Sequence, residues 1–324
     1  MNMSQIQAFH AVMTSTSLSE AAKKLGRTQP AVSAAIKTLE DQLGLKLFKR
    51  EGRKLTPVPE AQYLLTEATT ILGQVTRVKR TMKSLADGQT GALTIAAMPG
   101  PAAILFPRFI AQNVAPDQGI PVSILARGSA QIAELARAQS IDFGFTDAPE
   151  NMDAEALYKA QVISALTFMV LPVDHPLAAK PVISVTDLDG VQLGSLLSSH
   201  PHRLELAAIL EAQGVRATFT IESQTFLQVI QFVSAGHCCA VIDPLAVAHI
   251  QTIPALSDSV VIRPLKEPLR YRYAILEPQH SPISIFAYQI KLAWQEEVMR
   301  LLKDIGANPK IEPSFHNISD KISE

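Results

Sequence analysis

A glycine at position 26 interrupts an otherwise helical pattern near the start of the chain, and that break restricts what these first residues can build. Ile6, Phe9, His10 and Met13 recur at helical spacing, which predicts a first amphipathic helix ending near residues 15–17. Ser17 or Ser19 can cap a short second helix over 20–25, and Glu20 suits the positive end of its dipole. Ala21 and Ala22 are small enough for another helix to cross closely, and Gly26 can end the segment in the left-handed conformation. Thr28 is a natural N-cap for a third helix over 29–42, where Pro30 sits in the first turn and no amide hydrogen is needed. Two short helices joined by a tight glycine turn form a helix-turn-helix.

The third helix is two-faced. Val32, Ile36, Leu39 and Leu43 form one apolar seam, with Pro30, Ala34 and Lys37 opposite, Ser33 on the flank and Gln29 at the tip. A plain amphipathic helix with a solvated face has the same pattern. The polar face is also what entry into a DNA groove requires. Gln29 could pair with adenine, Ala34 could meet a thymine methyl and Lys37 could hold a phosphate. After a turn and short strand over 44–48, the run Lys49, Arg50, Glu51, Gly52, Arg53, Lys54 is a basic turn, and 55–56 starts a return strand. This hairpin can grip the backbone beside the helix. Residues 1–90 carry 13 Lys+Arg and 7 Asp+Glu, a balance of +6, whereas the remainder carries −7 within the net −1. A basic head on an acidic body suggests that only the head meets a polyanion.

The runs SLSEAAKKL over 17–25, TQPAVS over 28–33, IKTLE over 36–40 and LGLKLFKR over 43–50 occur in fixed order. In these residues the chain resembles the LysR-type transcriptional regulators, and ordered spacing across four runs is far more specific than a lone motif. The resemblance implies a winged helix-turn-helix over 1–58. Gln29, Pro30, Ser33 and Lys37 then fall on DNA-facing positions and Arg50 and Arg53 in the wing. Thr28, Ala34 and Lys54 complete the candidate DNA-binding set. One departure from the family pattern is Pro59 in place of the commoner glycine, and proline at a helix start is benign.

Residues 59–90 form the connector. Leu64, Leu65, Ala68, Ile71, Leu72, Val75, Val78, Met82 and Leu85 repeat at three-four spacing, so a long helix is expected, with a hinge over 86–91. Its stripe could pack on the chain's own body, but a second copy is the simplest partner. The family implies paired linker helices, a dimer and a dimer of dimers.

From residue 91 onward strands alternate with helices. Strands are expected at 93–98, 120–126, 141–146, 167–173, 191–194, 217–221, 239–242 and 270–276, and helices at 102–112, 132–138, 203–213, 227–235 and 283–302. This pattern indicates parallel βαβ units. The whole is thus an α+β chain in two parts, ending in an α/β domain over 91–304. The family implies two lobes, 91–163 with 265–304 and 164–264, as in periplasmic binding proteins, and residues 305–324 read as a loosely held tail.

Ligands of such sheets sit beyond the carboxyl ends of the strands, against helix N-termini. The strand ends nominate Met98, Pro99, Gly100, Arg127, Ser129, Thr146, Ser198, Ser199, His200, Thr225 and Asp243 as effector-binding candidates. Hydroxyls and backbone NH groups there could hold a carboxylate, and Asp243 an ammonium. Ser and Thr at these places could equally cap helices. The stretch VSAGHCCAVIDP over 233–244 is similar to regulators of opine catabolism and lysine metabolism, which implies an amino-acid-like effector.

No phosphate-binding loop, dinucleotide glycine fingerprint or nucleophile elbow occurs, so no enzyme and no cofactor is expected. His200, His202, Cys238 and Cys239 could suggest a metal, but adjacent cysteines on a buried strand point to opposite faces, so none is expected. The sequence shows no secretion signal and no membrane-spanning run, which places the chain in the cytoplasm. The expected partners are double-stranded DNA, a small-molecule effector, other copies of the chain and RNA polymerase. A binding protein with an incidental helix-turn-helix and a nucleoid-type binder without effector are the competing readings.

Overall fold

The computed structural model describes residues 1–51, 54–86, 92–149, 157–279 and 283–312, and the chain divides into two compact units near residue 88. In the first, helix α1 spans Met3–Met13 and starts earlier than the apolar spacing suggests, because Asn2 and Gln5 form a reciprocal capping box. Helix α2 spans Leu18–Lys24, and Ser17 rather than Ser19 caps it, its Oγ accepting from the Glu20 amide at 3.1 Å. Helix α3 spans Gln29–Leu43 and stops at Gly44, whose φ of 70° suits a residue without Cβ. Val32, Ile36 and Leu39 are buried against Ile6, Phe9 and Val12, but Leu43 is 36% exposed and leaves the seam. Strands β1 (Phe48–Glu51) and β2 (Lys54–Pro57) pair antiparallel as the wing.

Helix α4 runs from Pro59 to Ala86. Its first turns complete the head's core through Ala61 and Ala68, whereas Val78 and Met82, further along the same stripe, are 60% and 59% exposed.

The second unit contains two sheets. The first includes β3 (Leu93–Ala97), β4 (Val122–Ala126), β5 (Phe143–Asp147) and β6 (Tyr158–Leu166). The second includes β7 (Phe168–Pro172), β8 (Gln192–Leu196), β9 (Thr218–Ser223), β10 (Cys239–Ile242) and β11 (Val260–Pro264). Strands β12 (Arg270–Pro278) and β13 (Lys310–Ile311) return to the first, giving the orders β13-β6-β12-β5-β3-β4 and β11-β7-β10-β8-β9. The chain passes between the sheets at Thr167 and again after Pro264. In each sheet three consecutive parallel strands align their carboxyl ends, β5-β3-β4 and β10-β8-β9.

Helices α5 (Pro99–Ala103) and α6 (Leu105–Asn113) replace the single helix expected over 102–112. Pro107 would clash with the carbonyl four residues back, so the chain breaks at Ile104. Helices α7 (Ser129–Arg137), α8 (Pro201–Ala212) and α9 (Phe226–Ser234) follow the strands as expected, then α10 (Pro244–Ile250), α11 (Pro254–Ser257) and α12 (Ile285–Asp304). The core gathers around Trp294, which stacks on Phe106 at 3.8 Å and meets Phe145 edge-on at 5.3 Å. The tail expectation is corrected through residue 312. Ala307 is fully buried, β13 pairs with β6, and Arg272 binds Glu312 at 2.6 Å. Polar composition misled there because the pairing is made with distant strands.

Candidate functional site

In the head, α3 presents Gln29, Pro30, Ala34 and Lys37 as exposed residues, with Ser33 half-buried beside them. Thr28 caps α3, its Oγ1 accepting from the Ala31 amide at 3.4 Å, and Ser19 on α2 donates to the Gln29 amide oxygen at 3.3 Å. The turn between α2 and α3 therefore fixes the tip of the exposed face. For Arg50 and Lys54 only the backbone of the wing strands is described, and Arg53 and the hinge beyond Ala86 lie outside the described residues.

Glu40 binds the wing to α3. Its carboxylate accepts from the amides of Leu47 and Phe48 at 2.8 and 3.1 Å and from Lys46 Nζ at 3.0 Å. Burial pushes this carboxyl up, but Lys46 and the two amides outweigh it and hold the group below its usual range.

In the second unit a cleft of about 820 Å³ opens at the strand ends. Nine sequence-chosen residues line it: Met98, Pro99, Gly100, Ser129, Thr146, Ser199, His200, Thr225 and Asp243. Arg127 and Ser198 are not among its lining residues. Arg127 is exposed and folds back to donate to the Ala126 carbonyl at 2.7 Å. Ser198 is exposed within a turn closed by the His200 amide on the Leu197 carbonyl.

Two buried tyrosines organise the polar floor. Tyr271 and Tyr273 are two apart on β12 and so share a face. Tyr271 donates to Asp147 Oδ1 and Tyr273 to Asp243 Oδ1, each at 2.5 Å. Asp147 ends β5, and its Oδ2 also accepts from Ser129 Oγ at 2.5 Å and lies 3.4 Å from His200 Nε2. His200 Nδ1 accepts from the His202 amide at 3.3 Å, so the neutral ring carries its proton on Nε2, facing Asp147. Asp243 caps α10, with Oδ1 accepting from the Leu245 and Ala246 amides at 3.0 and 3.1 Å.

The two carboxyls titrate in opposite directions. Burial raises Asp147, but His200, Ser129 and Tyr271 outweigh it and hold it below the ordinary range. Burial pushes Asp243 up to about 6, opposed by Tyr273 and the two amides and reinforced by the charge of Asp147. His202, buried beneath, is pushed down to about 4 by burial, and its Nδ1 has no partner. Burial also raises both tyrosines well above their usual value, so they remain donors.

Ser129 donates to the Asp147 carboxylate, and among the described residues no histidine bonds to its hydroxyl to activate it as a nucleophile. Burial pushes the Cys238 and Cys239 thiols up to about 11 and 12, far from reactive thiolates. No cluster able to hold a metal occurs among the described residues. Tyr271 and Tyr273 are absent from the sequence-chosen set, although they alternate on an expected strand, and His202 enters it only as a possible metal ligand. Asp147 is also outside that set, because nothing local in the sequence marks it as the meeting point of Tyr271, Ser129 and His200.

Residues 3–62 match the family described as "Bacterial regulatory helix-turn-helix protein, lysR family", and residues 86–287 match "LysR substrate binding domain". The chain is 29% identical to the regulatory protein NocR of Agrobacterium fabrum over 278 residues, 86% of this chain and 90% of that one. It is 27% identical to the transcriptional activator protein LysR of Escherichia coli over 307 residues, 94% and 96% of the two. The octopine catabolism/uptake operon regulatory protein OccR of Rhizobium meliloti is 28% identical, covering 82% of this chain and 85% of OccR. The fold is similar to that of CbnR, a LysR family transcriptional regulator, with a TM-score of 0.64 at 17% identity over 94% of this chain and all of CbnR. No helix among the described residues is long and apolar enough to cross a membrane. With both of its parts matched over most of their length, the chain belongs to the LysR family of transcriptional regulators, which are not enzymes.

Proposed function

We propose that the chain controls promoters by reading DNA through the exposed face of α3 and by binding an amino-acid-like effector in the cleft. The observation that carries this is the convergence of nine strand-end residues on one cavity of about 820 Å³, within the usual size of a small-molecule site. Gln29, Pro30, Ser33, Ala34 and Lys37, capped by Thr28, are the groove-facing set, with Arg50, Arg53 and Lys54 gripping phosphates from the wing. The relative named as the octopine catabolism/uptake operon regulatory protein supports an amino-acid-like ligand.

Val78 and Met82 are exposed on α4, where a second copy would cover them, which supports a dimer and, through it, a dimer of dimers in the cytoplasm. Effector binding shifts the spacing of paired heads, and with it DNA bending and contact with RNA polymerase. Mobility shifts on the DNA upstream of the chain's own gene, at fixed salt against random competitor, test the first half. A discrete, competitor-resistant complex is expected. Thermal shifts with amino acids, opines and plain carboxylates test the second, because a ligand of the native state raises its stability. Smearing on every sequence, together with no stabilisation by any amino acid or opine, would reject the reading.

A further inference from the structure

The cleft is unevenly charged. Among its described lining residues Arg137 is the one guanidinium or lysine ammonium, and it is engaged by Glu134 at 2.5 Å and lies over the Tyr158 ring at 5.6 Å. Besides Glu134, which is paired with Arg137, two carboxylates face the same space, Asp147 and Asp243, one from the end of each sheet's parallel strands. A buried carboxylate without a cation is expensive, and proteins normally pair it or protonate it. Asp147 has a partial partner in His200, at the long distance of 3.4 Å. Asp243 has only neutral donors, and all three converge on Oδ1. Oδ2 is therefore left for something that is not part of the chain.

A further polar atom in the same wall lacks a partner. Thr146 lines the cleft beside Asp147, is 2% exposed, and its hydroxyl makes no hydrogen bond. Thr225 also lines the cleft as N-cap of α9, yet its hydroxyl caps nothing. Buried polar groups are nearly always satisfied, and those that are not commonly mark a place where a ligand or water supplies the bond.

We propose that Asp243 Oδ2 and Asp147 Oδ2, held by Tyr273 and Tyr271, receive a cationic group of the effector, an ammonium or guanidinium. The proposal rests on the reading of this cleft as the effector site and names the charge of what enters it. His200 stands on the Asp147 side of the receptor, 3.4 Å from Oδ2. A ligand cation placed between the carboxylates takes over that contact and completes Asp243. The hydroxyls of Ser199 and Thr225 remain for the ligand's opposite, anionic end. The ligand class is a zwitterion with a side-chain cation, rather than a plain or aromatic carboxylate.

The test is calorimetric titration of the full-length protein with isosteric pairs that differ in charge. The pairs are arginine against citrulline and lysine against 2-aminoheptanoate, with succinate and benzoate as anions. The proposal expects a cationic member to bind at least tenfold more tightly than its neutral isostere, and Asp243→Asn to abolish that preference. Equal affinity within each pair, or binding by succinate or benzoate alone, overturns it. Ser199→Trp, which fills the cleft from an exposed position, separates the two levels of the reading. If it blocks an anion whose affinity Asp243→Asn leaves unchanged, the cleft is the effector site and the cationic receptor is wrong. If Ser199→Trp leaves the tightest probe's affinity unchanged, both fall. Should no probe bind, the melting temperature of Asp243→Asn at pH 8 decides, since Asn caps a helix as well as Asp. A rise shows that the carboxylate awaits a counter-charge, and no change or a fall overturns the proposal.

Discussion

Tyr271 and Tyr273 lie side by side on β12, ring centroids 4.9 Å apart, and their hydroxyls end on carboxylates supplied by different sheets. One strand of the first sheet thus holds Asp147 at the end of β5 and Asp243 at the end of β10. Tyr273→Phe removes a hydrogen bond to a charged acceptor, which is worth about 1.5–3 kcal/mol. Its stability deficit should be largest near pH 8 and shrink below pH 6, where Asp243 is protonated. Denaturant titrations at the two pH values measure it; a deficit independent of pH would mean the hydroxyl only fills space.

Asp243 and His202 give the cleft opposed pH dependences. Asp243 rises from 3.8 to about 6 on folding, so between those values the native state holds the extra proton and stability falls as pH rises. His202 drops from 6.5 to about 4, so over nearly the same window the unfolded state holds the extra proton and stability rises with pH. The two shifts are of similar size, about 3 kcal/mol each, and largely cancel. Asp243→Asn should therefore expose the His202 slope: relative to wild type, its melting temperature should climb between pH 4 and 6.5. A parallel pair of curves in scanning calorimetry would contradict this.

Glu40 makes the same kind of statement for the head. Its lowered pKa stabilises the fold above the ordinary carboxylate range and is lost as pH falls below it. Glu40→Gln should cost about 1–3 kcal/mol and speed hydrogen exchange at the Leu47 and Phe48 amides at neutral pH. Unchanged exchange at both amides would show that the wing is held in register without the carboxylate.

On DNA, Gln29 and Lys37 should separate by kind of loss. Gln29→Ala is expected to cost about 1–3 kcal/mol at a specific site and little on random sequence. Lys37→Ala should weaken both alike and lower the salt slope by about 1. Filter binding across a salt series distinguishes them, and equal losses for Gln29→Ala on both DNAs would make it a positioning residue.

Local chemistry made the head legible. Ser17, Thr28 and Gly26 are caps whose roles depend on neighbours within four residues, and the structure uses all three as such; Gly44, read as a turn, also ends α3. Strand β10 was equally plain, an apolar run between turn signals. The stretch after it was not: all seven residues of α10 are buried, so no polar face gives it a period. Strand β6 was missed for a related reason, since its pairing with β12 spans a separation of more than a hundred residues. In the cleft, caps and strand ends were visible because they are local, whereas the Tyr271–Asp147 contact joins positions 124 apart and leaves no trace in spacing.

Trp294 is the chain's sole tryptophan, and it lies in the body's aromatic core. Its edge meets Phe145, Phe145 stacks on Tyr273 at 5.6 Å, and Tyr273 bonds to Asp243. The molecule therefore carries a single optical reporter two rings from the cleft floor, and the head is silent at red-edge excitation. Emission changes in the intact regulator can be assigned to the body without labelling, even while the protein sits on DNA.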